Sequence, residues 1–222
     1  DRPQTVDAWR AMFDFPPPER TAPQSRPPAA TGGSLTSTEG DDRRADAAAA
    51  HPLTYTVLRY FNVAGADPRG RTGQSTPGAT HLIKVASETA LGKRSHMQVF
   101  GSDYATPDGT CVRDYIHVSD LAAAHRLALE RLRSGGGNLT ANCGYGHGYS
   151  VLEVIDSVRR VHGGDFDVRN ADRRPGDPAS IVANADLARS VLGWKPRRDN
   201  LDLIVGDALA WEASLSRRNS SR

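Results

Sequence analysis

Three stretches of this sequence gather side chains that could bind or transform a ligand. The densest is Asp108-Gly109-Thr110-Cys111-Val112-Arg113-Asp114-Tyr115-Ile116-His117-Val118. A core strand has no need of Arg, Asp, Tyr and His together, because each is costly to bury unpaired. Arg113 can take a phosphate in a charge-assisted pair. A structural corner of ion pairs accounts for the same residues. The second stretch is Arg173-Arg174-Pro175-Gly176-Asp177. Paired arginines on a turn suit an anion such as a diphosphate, and they also suit a solvated basic turn. Two separate arginine-bearing motifs in one chain strengthen the anion reading. The third is Gly144-x-Gly146-x-Gly148, with an acidic residue at Asp165 or Asp167, about twenty positions on, as in dinucleotide-binding loops. Its spacing is not G-x-G-x-x-G and no full-length βαβ unit follows, so a tight turn feeding a helix is the better reading. The seven histidines show no metal-ligand grouping, and Cys111 and Cys143 show none either. No P-loop and no G-x-S-x-G is present.

The elements that must position these groups follow from periodicity. Residues 53–61 (LTYTVLRYF) are β-branched and aromatic and predict a strand. Residues 80–93 space Leu82, Val85, Ala86 and Leu91 helically, and 97–100 predict a short strand. Ser119 is expected to cap a helix with Leu121, Ala124, Ala128 and Leu132 on one face. Residues 138–143 predict a strand, and 150–161 a helix opened by a Ser150–Glu153 capping box. Strands are expected near 166–169 and 181–183, and helices over 186–192 and 201–214. Strands alternating with helices give an α/β fold class.

Composition bounds the rest. The chain has 222 residues, a net charge of +2, 38% hydrophobic and 24% charged residues, which suits one globular domain with an extension. No apolar run approaches the ~18 residues of a membrane span, and no secretory signal is visible, so a cytoplasmic setting is expected. Arginine is scattered and balanced by acid, which argues against nucleic acid. Half of the fourteen prolines fall in residues 1–30, and 31–50 hold almost no large apolar side chain. Residues 1–50 are therefore expected to be mostly disordered, with a short helix over 6–15 allowed, and 51–222 to form the folded region.

Several strings taken together are specific. LRYFNVAGADPRG (58–70), VFGSDYATPDGTCVRDYIHVSDLAAAH (99–125), RRPGDPASIVANADLA (173–188) and LGWKPRRDNLDLIVGDALAWE (192–212) resemble the C-terminal half of the UDP-glucose 4-epimerase family, an extended short-chain dehydrogenase/reductase group. The resemblance implies a partial fold: a substrate domain plus the last strands of a Rossmann-type domain. It implies an isomerase of nucleotide-sugar and galactose metabolism that inverts a UDP-hexose at C4, with NAD as cofactor and a UDP-sugar as substrate. Phe61 matches the aromatic beside the nicotinamide, and Asn62 a diphosphate or sugar contact. His81 and Leu82 fall where the family usually holds Asn-Leu against the nucleotide. Gln98, Val99 and Phe100 match the segment along the uridine, Arg113 and Arg174 the diphosphate arginines, and Asp177 a ribose contact. Ile181 falls where members differ in the sugar pocket.

The family's glycine fingerprint has no counterpart in the sequence, and its catalytic Tyr and Lys positions hold Thr31 and Leu35. Neither Thr nor Leu can serve as a tuned general base or lower a neighbour's pKa. A truncated or inactive copy is therefore expected, either binding a UDP-sugar without turnover or docking on a full-length relative. A UDP-pentose or UDP-N-acetylhexosamine 4-epimerase, and a homodimer, stay open. Without its Rossmann neighbours the strand near 53–60 is expected to present unpaired edges on both sides and to make the chain poorly soluble.

Overall fold

The computed structural model describes residues 37–220. Thr31, Leu35 and the helix expected over 6–15 lie outside the described residues. The chain divides into two compact units at Gly40 and Asp41, and the second, from Asp41 onward, carries everything described below except the first turn of the first helix.

Helix α1 (Ser37–Ala50) occupies part of the stretch whose composition predicts no order. Apolar burial does not drive it. Its second half is Ala45 and Ala47 to Ala50, and alanine has the highest helix propensity. Asp41 ties it to the first strand by accepting from Arg59 Nε at 2.9 Å, and it also accepts from Arg44 at 3.2 Å.

Strands β1 (Thr56–Tyr60) and β2 (Asn62–Ala64) follow, separated by Phe61. Next come α2 (Leu82–Ala90), β3 (Met97–Phe100), β4 (Val112–Arg113), β5 (Tyr115–His117) and α3 (Val118–Arg133). The chain continues through β6 (Leu139–Cys143), β7 (Tyr149–Ser150), α4 (Val151–His162), β8 (Val168–Ala171), β9 (Ser180–Ile181), α5 (Asp186–Leu192) and α6 (Leu201–Ser220). β1 pairs in parallel with β6 from Thr56↔Leu139 to Tyr60↔Cys143, β2 with β5, and β3 with β8. β4 lies between antiparallel β7 and parallel β9. The expectation that β1 has two open edges is corrected here: β6, some eighty residues downstream, closes one of them. Among the described residues no strand pairs with the other edge.

Helices α2, α4 and α6 pack on one another, and their inward stripes supply Ile83, Ala86, Val154, Ile155, Val158, Ile204 and Val205 to the core. Each large side chain fully buried this way contributes about 1.5–3 kcal/mol. The capping box forms as expected: Ser150 Oγ accepts from Glu153 N at 3.0 Å, and Glu153 accepts from Ser150 N at 2.7 Å. The cap of α3 differs from expectation. His117 takes the N-cap position, and its Nδ1 accepts from the Ser119 N–H at 3.0 Å, so Ser119 lies inside the first turn.

Candidate functional site

The Arg174-to-Asp177 segment folds as its sequence dictates. Pro175 sits at the second turn position and Gly176 at the third with φ +83°, and Asp177 N–H donates to Arg174 O at 3.3 Å. A positive φ at the third position of such a turn calls for glycine. The turn brings Arg174 Nε to 3.4 Å from Asp177 Oδ2, while the guanidinium lies 4.4 Å from the centroid of the Phe100 ring. From β4, Arg113 reaches the same carboxylate, with Nη2 at 3.8 Å from Asp177 Oδ1. β9 runs beside β4 with Arg113 opposite Ile181, which delivers the turn to the arginine.

These residues line a cleft of about 800 Å³. Asn62, His81, Leu82, Gln98, Phe100, Arg113, Arg174 and Asp177 all face it. Val99, Ile181 and Phe61 are placed differently. Val99 alternates to the other side of β3 and is buried in the core, 2% exposed. Ile181 is half-buried on β9 and does not line the cleft, and Phe61 stands 44% exposed between β1 and β2. The cleft also holds Arg94 and His96, which the sequence reading did not select. The run Lys93-Arg94-Ser95-His96 just before a strand was the available signal. Arg94 is held by Glu88 at 2.5 Å and by Ala79 O at 3.3 Å.

Three arginines and one carboxylate thus line this cleft, and two of the arginines meet that carboxylate. A planar guanidinium with fixed donors is suited to phosphate oxygens, and the burial of the Arg113 side chain, 14% exposed, limits screening by water there. Tyr115 lines the cleft but is 4% exposed, and burial pushes its phenol above the usual range, so it is no proton acceptor at neutral pH. The arrangement is equipped to hold an anion.

Asp114, the acid next to Arg113, has another task. It is 1% exposed, and its carboxylate accepts backbone N–H groups from Tyr145 at 3.1 Å, Gly146 at 3.1 Å and Ala183 at 3.3 Å. The 108–118 string therefore divides, with Arg113 facing the cleft and Asp114 and His117 holding structure. The glycines after β6 serve the same packing. A Cβ on Gly144 would come within 2.5 Å of Ala183 Cβ and 2.6 Å of the Asp114 carboxylate, and one on Gly148 within 2.6 Å of Val112. They make room for neighbours. A second, mostly apolar cavity of about 380 Å³ shares the wall formed by Asn62, His81, Leu82 and Tyr115. Among the described residues no cluster of metal-binding side chains occurs, and no helix is long and apolar enough to cross a membrane.

Comparison with known proteins agrees with this architecture. The pattern of the NAD dependent epimerase/dehydratase family matches residues 38–144. A UDP-glucose 4-epimerase of Azospirillum brasilense is 62% identical over 170 residues, covering 77% of this chain and 49% of the relative. The crystal structure of a UDP-glucose 4-epimerase from Brucella ovis in complex with NAD matches with a TM-score of 0.74 at 45% identity, over 77% of this chain and 52% of that one. That from Bifidobacterium longum in complex with NAD+ and UDP matches with a TM-score of 0.75 at 37% identity, over 83% and 57%. The chain spans about half the length of the curated relatives it matches. By sequence and by backbone path the chain belongs to the NAD dependent epimerase/dehydratase family, and the part it shares with the UDP-glucose 4-epimerases is their C-terminal half.

Proposed function

We propose that the cleft binds the nucleoside diphosphate of a UDP-sugar, and that the chain carries this binding region of a UDP-hexose 4-epimerase, an isomerase that inverts C4. The observation that carries the reading is the convergence of Arg113 and Arg174 on Asp177 in an arginine-rich cleft. Its support from outside is the relatives' name and the UDP held by the Bifidobacterium longum structure. In this reading the two guanidinium groups take the diphosphate, Asp177 keeps them apart and oriented while the cleft is free, and Gln98 and Phe100 lie along the nucleoside.

The described residues do not fit the dinucleotide cofactor that the family description names. The one glycine-rich turn after a strand is filled by Asp114, Ala183 and Val112. The resemblance assigns Phe61 to the nicotinamide and puts Thr31 and Leu35, outside the described residues, at the positions of the catalytic pair. UDP binding without turnover is therefore the function proposed for these residues. The uridine, the hexose and the compartment are part of the same proposal.

Titration calorimetry with UDP tests it. Arg113→Ala and Arg174→Ala are each expected to weaken UDP about 10- to 100-fold, the range for losing a charged hydrogen-bond partner. Arg113→Lys should not restore the full affinity, because an ammonium lacks the fork. Unchanged affinity in both alanine variants would sink the assignment. Release of stoichiometric NAD from the denatured chain, read by absorbance, would instead favour a complete enzyme and call for an epimerase assay.

A further inference from the structure

His81 stands in the wall between the cleft and the smaller cavity and lines both. Its Nδ1 is met at 2.9 Å by the side-chain amide nitrogen of Gln74. Gln74 lines only the smaller cavity, so it touches nothing bound in the cleft. It is itself held from behind. Its carbonyl accepts the Trp211 indole N–H at 3.1 Å. The neighbouring Gly73 lies so close beneath that indole that a Cβ would fall 2.5 Å from the ring. Trp211 is buried, 7% exposed, on α6. A rigid helix thus fixes the backbone of a loop whose side chain grips one edge of an exposed imidazole.

Resting on the nucleotide-binding role given above to the cleft, we propose that Gln74 is a positioning residue. It sets the tautomer and orientation of His81, so that a neutral Nε2–H is offered to an oxygen of the nucleotide. With Nδ1 receiving the amide N–H, the neutral ring carries its proton on Nε2. The ring also cannot turn freely about its side-chain torsions, and less order has to be imposed when a ligand arrives. His81 then donates one hydrogen bond from Nε2, beside the arginines that already supply the charge.

The test is a double-mutant cycle on the full 222-residue chain, read as the Kd of UDP by calorimetry, with thermal unfolding recorded for every variant. Gln74→Ala keeps the backbone carbonyl that Trp211 uses and is expected to weaken UDP about 3- to 10-fold, the scale of one freed side chain. His81→Ala should weaken it at least as much. The double variant should be no worse than His81→Ala alone, because Gln74 acts through His81. Gln74→Met keeps the length and removes the amide, and it should give the same non-additivity should Gln74→Ala fail to fold. A merely structural Gln74 would lower affinity by the same factor with or without His81. Additive losses, or unchanged affinity in Gln74→Ala and Gln74→Met, overturn the inference while leaving the nucleotide role standing. A wild-type chain that shows no binding of UDP overturns both.

Discussion

Single residues in this chain are legible when their partners are near in sequence and opaque when they are distant. Arg174 and Asp177 are three apart, and the Pro-Gly between them announces the turn that joins them. Asp114 gives no such signal, since the N–H groups it accepts belong to residues 31, 32 and 69 positions on. His117 is the sharpest case. Fully buried, it caps α3 through Nδ1 and places Nε2 at 3.0 Å from Asp207. Gly65, with φ +80°, passes so close that a Cβ would lie 2.7 Å from the imidazole. Burial lowers the pKa of this ring below its ordinary 6.5, and the Asp207 hydrogen bond and charge only partly oppose it. A His whose folded pKa is depressed takes up its proton more readily when unfolded, so the fold has its full support above the unfolded value of about 6.5 and loses it as pH falls from there toward the folded value. Thermal unfolding should therefore move to lower temperature as the pH drops from 7.5 to 5.5. His117→Asn keeps a capping side chain but loses Asp207. It should cost about 1–3 kcal/mol at pH 7.5 and flatten the dependence over this window. An equally steep profile in that variant would remove His117 from the account.

At the scale of elements, α2 and α6 are joined by charge as well as by apolar packing. Lys84, 8% exposed, pairs with Glu212 and lies 3.2 Å from Glu88, and Lys93 reaches the Glu212 side chain and, at 2.6 Å, its carbonyl. Burial alone would raise the Glu212 pKa, but the hydrogen bonds from Lys84 and Lys93 override it and hold the carboxyl below its usual value. Removing one partner of a buried pair leaves the other charge stranded. Glu212→Ala should cost about 3 kcal/mol, whereas Lys84→Met combined with Glu212→Leu should lose less than half of that, both read from denaturant unfolding. A loss below about 1 kcal/mol for Glu212→Ala would show that the pair is not what holds the helices together. The helices themselves were legible from their 3.6-residue spacing, and the capping box of α4 from Ser150 and Glu153 alone. The α3 cap was not, because a histidine becomes a cap only once burial points its Nδ1 at the helix.

For the whole molecule the open edge of β1 is the feature with consequences. Among the described residues β1 pairs only with β6, and Leu53, Tyr60 and Phe61 around it are 48%, 46% and 44% exposed. An unpaired edge flanked by apolar side chains invites association. Sedimentation of the purified chain should show mass rising with concentration, and Tyr60→Lys should reduce it. A monomer at every concentration, with one cooperative unfolding transition, would refute the expectation. The α/β class and the boundaries of β3 were readable from periodicity, and the strand pairing was not, since β1 and β6 lie about eighty residues apart with nothing local to specify their register.

The sequence by itself determined helices α2 to α6, strands β1, β3, β6, β8 and β9, the Arg174-to-Asp177 turn and the family strings, because these depend on backbone preferences and side-chain order within a few residues. Only the tertiary structure decided that Arg113 and Arg174 share one carboxylate, that Asp114 holds loops together, and that Gln74 grips His81. Those roles depend on which surfaces are buried against each other, and burial is set by contacts between residues remote in the chain.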